Sequence, residues 1–525
     1  MAPPASTPKF PLKTTLTLAT VAAVLLAWHW RVGSPPGLAW TNLGDAFHLP
    51  FVPPRASAAK APEPNVRGTG QPKQTQNQPE QPQSALLIDN GGSMDKFYAS
   101  LARLESHPPN ATATVIHFGD SPTTADLITG DVREQLQQRF GDAGQGFNLI
   151  AKPWAWYGHR NIDESDQGWK WSTAVGTMRE GPYGIGGAVF DGSAGASSSF
   201  SLNGAPQSTA EFLFATQPDG GSFSVAADGQ QIVSIDTSKP EPMPDFGLAF
   251  RTVDLPQGTH RVELKVDSGT VHLYGVRFGR SQLGLFYDSL GLNGASTTVL
   301  SRAMPAGMLK QSFDRLHPDL VVINYGTNEA SFGAFVDKQY EGELRTAIAR
   351  IRAAAPNASI LVMSPMDRGE RGDGNSIATM ATIPRLVAIQ QRVAGETGCG
   401  FFNTFEAMGG DGTMQRWYTS KPRLVGGDLI HPTPAGARIV ADALVSELEK
   451  GYERYKARIQ STPANPTPTP TPTPKSNSQG SITLQAPPVG RSVSAAPLNS
   501  GPSAKLGVSA SDSSAGLEIK GANRH

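Results

Sequence analysis

Two textures of apolar and polar positions divide the chain. In the first, short continuous apolar runs alternate with stretches of helical period. Residues 113–118 form such a run, and a helix is predicted over 124–140 with Leu127, Leu136 and Phe140 on one face. Residues 319–324 repeat the pattern, followed by a helix over 340–354 carrying Leu344, Ile348 and Ile351. Residues 359–363 form a third run, with a helix near 384–395. Apolar runs of this kind are strands covered on both faces, so these pieces predict an α/β domain with a parallel sheet.

The second texture occupies residues 156–280, where apolar and polar positions alternate at 210–214, 222–225, 260–266 and 270–274. Asp228-Gly229 suits a hairpin turn. Glycine and serine punctuate the strands, and the segment predicts a β-sandwich inserted into an exposed loop of the α/β domain.

The ends differ from both. Lys9 and Lys13 precede an uncharged stretch, residues 14–30, at the short edge of the ~17 residues a membrane span needs. That layout predicts an export signal with residues 1–13 on the cytoplasmic side. No small-x-small site follows directly, and Ala56-Ser57-Ala58 lies far downstream. An uncleaved membrane anchor is therefore expected, with a removed signal or a buried soluble helix as the alternatives. Proline, glycine, glutamine and serine dominate residues 53–84, as in a linker. Residues 463–474 are mostly a Thr-Pro alternation, and the remainder to His525 is too poor in large apolar groups to fold alone. The expected order is thus the anchor at 14–30, a linker at 31–84, α/β pieces at 85–155 and 284–455 around a β insert at 156–283, and a disordered tail at 456–525.

Composition changes this picture little. A chain of 525 residues exceeds one ordinary core. Lys+Arg and Asp+Glu are each 45, so bulk charge gives no argument for nucleic acid. The single cysteine, Cys399, precludes an intramolecular disulfide and sits in an apolar run that marks it as core. No His/Cys cluster has zinc spacing, and Asp373-Gly374 and Asp411-Gly412 read as turns, so neither metal nor cofactor is expected.

Four short segments carry candidate chemistry. Phe118-Gly119-Asp120-Ser121 ends a predicted strand, so Ser121 sits at the carboxyl edge where open α/β sheets place their sites. It equally suits a helix cap, with Pro122 at the first helical position. Asp428-Leu429-Ile430-His431 follows two glycines and precedes a helix opened by Pro434. A carboxylate there can fix the imidazole tautomer while the other ring nitrogen takes a serine proton; a surface aspartate and a helix-flanking histidine is the plainer alternative. Asn328, after Gly326-Thr327, is placed to donate to an oxyanion or to make an Asx turn. Leu290 to Ala295 offers Gly294, or Gly291, as a backbone donor. Asp120 is expected to be structural, since its side chain points away from that of Ser121. His117 and His272 fall in strand patterns and are not assigned chemistry.

Together, in type and order, these segments resemble the SGNH/GDSL hydrolases over residues 84–150 and 285–452. The resemblance implies a flavodoxin-like three-layer fold in which Ser121, Asp428 and His431 form the triad. It also implies that Ser121, Gly294 and Asn328 form the oxyanion hole. Pro122 agrees with this: it has no N–H to give, and the family uses the nucleophile's own N–H. An insert between the serine and glycine blocks resembles peptidoglycan O-acetylesterases, whose insert is similar to a carbohydrate-binding module. The expected partners are an O-acylated polysaccharide and, through residues 14–30, the membrane of a cell envelope. Members most like this chain often carry histidine where it has Pro122. An O-acetyltransferase and a non-catalytic glycan-binding scaffold are the rival functions.

Overall fold

The computed structural model describes residues 85–176, 181–238 and 247–461, the side chain of Asn375 excepted. The expected anchor at 14–30, the whole linker at 31–84 and the tail beyond 461 lie outside these residues. No helix among the described residues is long and apolar enough to cross a membrane.

The first texture becomes a six-stranded sheet in the spatial order Leu87–Ile88, Gly400–Phe402, Ser359–Met363, Leu320–Asn324, Thr112–Gly119, Gly284–Gly291. All neighbours are parallel except Leu87–Ile88, which runs antiparallel to Gly400–Phe402. Taking the five parallel strands in chain order, the arrangement is 2-1-3-4-5, the flavodoxin-like order. The strands Leu320–Asn324 and Ser359–Met363 are buried at every position, as sheets covered on both faces require.

Helices cover the two faces. Tyr340–Ala354 buries Leu344, Ile348 and Ile351, and Thr382–Glu396 buries Ile383 and Leu386. On the other face lie Asp95–Glu105, Leu127–Phe140 and the long last helix Pro434–Ser461, which runs past the boundary expected at residue 455. The helix expected over 124–140 is broken. A short turn, Ser121–Thr124, precedes Asp126, whose φ of 53° is left-handed. Asp126 Oδ1 and Oδ2 accept both Arg133 guanidinium nitrogens at 3.0 and 2.6 Å, and its carboxylate also accepts from Thr129 and the Arg160 N–H. Burial alone would raise this carboxyl, but Arg133 and then His159 hold it at about 2. Restarting at Leu127 turns Ile128, Val132, Leu136 and Phe140 inward and leaves Leu127 partly exposed.

The second texture becomes two antiparallel sheets. One has the order Gln230–Asp236, Ser222–Ala227, Arg261–Ser268, Ser197–Leu202, Ile162–Gln167; the other runs Leu248–Asp254, Thr209–Ala215, Thr270–Gly279, Ala188–Ser193, Lys170–Thr173. Asp228 and Gly229 make the expected hairpin turn at φ 50° and 82°. Phe200 and Phe223 of the first sheet meet Phe278, Phe212 and Phe214 of the second with ring centroids 5.4–5.8 Å apart. Gly146–Asn148, which precedes these sheets in the chain, also pairs with Thr270–Gly279. One continuous apolar cluster joins Ile116 and Phe118 of the parallel sheet to the aromatic residues between the antiparallel pair.

Candidate active site

The strand Thr112–Gly119 lies between the strands ending at Gly291 and Asn324. The chain leaves it toward one side and Leu320–Asn324 toward the other, so the sheet's switch point falls beside Ser121. The loops after both neighbours are tied to the residues before Ser121. Leu292 N–H donates to Gly119 O at 3.1 Å, and Thr327 N–H to Asp120 Oδ2 at 3.3 Å.

Ser121 opens its four-residue helix, so its N–H has no intrahelical acceptor. Its Oγ lies 2.7 Å from His431 Nε2, and His431 Nδ1 lies 2.6 Å from Asp428 Oδ2. The loop that presents this pair is held against itself. Asp428 Oδ1 accepts the N–H groups of Ile430 and His431, Gly426 N–H donates to His431 O, and Leu429 adopts a left-handed φ of 61° with its side chain buried. A leucine rarely takes that conformation, so the packing around it fixes the turn. Burial would raise the Asp428 carboxyl; hydrogen bonds from the His431 ring and the two N–H groups outweigh it and hold the group below its ordinary value. The arrangement can pass the serine proton to an imidazole whose cation an ionised carboxylate stabilises.

Asn328 is half-buried in the turn after Leu320–Asn324, and its Nδ2 donates to Ala295 O at 2.7 Å. That bond leaves the second amide hydrogen for another acceptor and docks the Asn328 turn on the loop of Gly294. Gly294 is exposed with φ 77°, a conformation that favours glycine. The alternative donor, Gly291, has a packing role: a Cβ there would lie 2.4 Å from Thr124 N.

A buried carboxylate pair behind these loops was not legible as chemistry. Asp120 and Glu329 are each 2% exposed, and each follows or precedes a candidate site residue. Burial first, then the charge of Glu329, pushes Asp120 up to about 8; burial also raises Glu329. Glu329 Oε1 accepts from the Thr297 N–H and hydroxyl, both at 2.8 Å. The carboxyls therefore tie the Ser121, Gly294 and Asn328 segments into one support. Arg368 joins it by donating to Thr327 O at 2.6 Å. Glu329 closes the segment Gly326-Thr327-Asn328-Glu329 singled out in the sequence but carried no assigned role there, and Arg368 lies outside all four segments.

The unassigned histidines and cysteine are accounted for by packing. His117 is buried against the Tyr287 hydroxyl, and burial lowers it to about 4. His272 pairs with Asp191 on the second antiparallel sheet. Cys399 is buried, which raises its thiol.

A flavodoxin-like sheet with Ser-His-Asp at its carboxyl edge defines a serine-hydrolase type of site. The sequence agrees over one part of the chain: residues 267–439 match the GDSL-like lipase/acylhydrolase family. Gly294, Asn328, Asp428 and His431 fall inside the matched span, while Ser121 lies ahead of the antiparallel sheets. No curated protein matches the chain. Among solved structures, a peptidoglycan O-acetylesterase aligns with TM-score 0.60 and 20% identity, over 70% of this chain and 99% of its own. A family two carbohydrate esterase from Clostridium thermocellum, solved with cellohexaose, aligns with TM-score 0.23 and 14% identity, over 54% of this chain and 100% of its own.

Proposed function

We propose that this protein is a serine esterase that removes O-acetyl groups from a cell-envelope polysaccharide such as peptidoglycan. The observation that carries the reading is the hydrogen-bonded series Ser121–His431–Asp428 at the switch point of the sheet. In this reading His431 takes the Ser121 proton as Oγ attacks the acetyl carbonyl. The tetrahedral oxyanion is met by the N–H groups of Ser121 and Gly294 and by the free amide hydrogen of Asn328. Collapse breaks the bond to the sugar oxygen, which leaves with the proton held on His431. Water then attacks the acetyl-serine with His431 as base, and acetate is released.

The glycan assignment draws on the likeness in fold to a peptidoglycan O-acetylesterase over nearly all of that protein's length. The two antiparallel sheets, residues 156–283, serve in this reading as an inserted β-sandwich that holds the polymer. Residues 14–30 anchor the protein on the outer side of the membrane, with 31–84 as a tether. The test is release of acetate from O-acetylated peptidoglycan by the wild type and by Ser121→Ala. Acetate in the first and none in the second supports the reading. Acetyl groups moved to an added oligosaccharide without free acetate would make the protein a transferase instead.

A further inference from the structure

Beside Ser121 and His431 lies a cavity of about 300 Å³ whose wall is made largely by Pro122, Ala125, Leu127 and Trp156. The Trp156 side chain contributes to it while the residue remains 58% exposed. A largely apolar cavity beside reactive side chains is where a small ligand group binds, and an aromatic ring on its wall offers a face to stack on. The geometry points to this shelf as the subsite for the alcohol half of the ester, with Trp156 stacking on the C–H face of a sugar ring.

The side of the site decides which half of the substrate is held. The carbonyl oxygen must face the donors on the Gly294 and Asn328 loops. The leaving oxygen must face His431 Nε2, which returns the proton. The shelf shares its cavity with His431 and not with Gly294 or Asn328, so it receives the alcohol. Its floor follows from local sequence. Pro122 presents a ring in place of a polar side chain directly after the nucleophile. Asp126 breaks the helix, which leaves Leu127 partly exposed on the same wall. A pyranose has one face of C–H groups and a rim of hydroxyls. That face suits a tryptophan with an apolar body, while the rim stays in water. The volume lies at the low end for small-molecule pockets, about 300–1,000 Å³, which suits one ring of a polymer continuing outside.

The inference rests on the proposed glycan esterase, and its test separates the two. Kinetics of wild type, Trp156→Ala and Trp156→Phe are compared on O-acetylated chitotetraose, octyl acetate and ethyl acetate. Trp156→Ala should raise KM for the acetylated sugar about tenfold, and much more than for ethyl acetate, with kcat for the sugar ester lowered less than KM is raised. Trp156→Phe should recover most of the loss. An equal rise on octyl acetate would make the shelf a general apolar alcohol site and overturn the sugar assignment. Equal loss on all three esters would assign Trp156 to structure. Binding is read independently of turnover in Ser121→Ala: chitotetraose should change its tryptophan fluorescence, and the change should be gone in the Ser121→Ala/Trp156→Ala double variant. A change that persists in the double variant would place the sugar elsewhere, even if no ester is cleaved. Loss of all ester cleavage by the wild type, with the fluorescence result intact, would defeat the esterase reading and leave the subsite standing.

Discussion

The parallel sheet and the two antiparallel sheets bury comparable aromatic and aliphatic side chains, yet the whole candidate triad lies on the first. The difference follows from what each architecture does with its strand ends. In the first sheet the five parallel strands all finish at the same edge, so Ser121, the Gly294 loop and the Asn328 turn converge there from three neighbours. In the antiparallel pair successive ends fall on opposite edges, and along strands such as Ser197–Leu202 and Ser222–Ala227 every second side chain faces outward. Ser197, Ser199, Ser224 and Lys265, for example, line an open polar concavity on the five-stranded sheet. One region gathers reactive groups at an edge; the other spreads hydrogen-bonding groups across a face.

Ser121→Ala gives the sharpest contrast. It removes the proposed nucleophile at the convergent edge and should lower kcat by several orders of magnitude, as losing a triad nucleophile does. The thermal midpoint should hardly move, because Oγ packs against His431 and not into the core. Acetate release followed beside calorimetry checks both. Turnover near the wild-type rate, with contamination excluded, would remove the serine mechanism.

Arg277→Ala should do the reverse. Arg277 on the strand Thr270–Gly279 pairs with Asp288 of the parallel strand Gly284–Gly291 at 3.0 Å, and its guanidinium carbon lies 3.7 Å from the Phe286 ring centroid. Asp288 is 1% exposed, so losing its partner leaves a buried charge and should cost roughly 3–5 kcal/mol. The kcat of each folded molecule should survive, since Arg277 touches none of the convergent loops. Urea unfolding with activity measured on the folded fraction tests this. A stable variant with lost turnover would mean that the antiparallel region reaches into the chemistry.

How far the sequence spoke follows the same division. The continuous runs at 319–324 and 359–363 predict their strands because nothing polar interrupts them. The strand Gly284–Gly291 did not stand out, because its interior carries Asp288, whose burial depends on Arg277 from another sheet. Asp428 and His431 were legible because their contact is local, across one turn. The break at Asp126 was not, because it is satisfied by Arg133 one turn and more along the helix and by Arg160 from a distant loop. Trp156 was first read as the start of the β insert, since sequence alone does not show which wall it joins.

Asn328→Ala should cut kcat about a hundredfold and change KM little, because in the proposed mechanism the amide acts on charge that develops only in the transition state. Its bond to Ala295 O adds a structural consequence, a small fall in midpoint as the Gly294 loop loosens. Comparing kcat and thermal midpoint on one preparation separates the two contributions. Full specific activity in a destabilised protein would reduce Asn328 to a loop tie.

The smallest effect concerns the buried pair behind the site, and its sign can be fixed in advance. Burial and the nearby Glu329 raise Asp120 to about 8, above the ordinary carboxyl value of ~3.9. The folded protein therefore keeps a proton that the unfolded chain has already released above pH ~4. Its contribution to stability is complete below that point, declines as pH rises toward about 8, and levels off above. The proton belongs to the Asp120–Glu329 pair as much as to either group. Asp120→Asn keeps an oxygen for the Thr327 N–H and removes one titrating member. The variant's thermal midpoint should gain on the wild type between pH 5 and pH 9 by on the order of a few degrees, with the difference smallest at pH 5. Asp126→Asn provides the opposite sign: its carboxyl sits at about 2 beside Arg133, so loss of its charge should cost stability at neutral pH and less as pH falls through that value. Midpoint curves for Asp120→Asn that run parallel to the wild type from pH 5 to pH 9 would show that the pair carries its charges already, and that the support beneath the Ser121 and Asn328 loops is ionic.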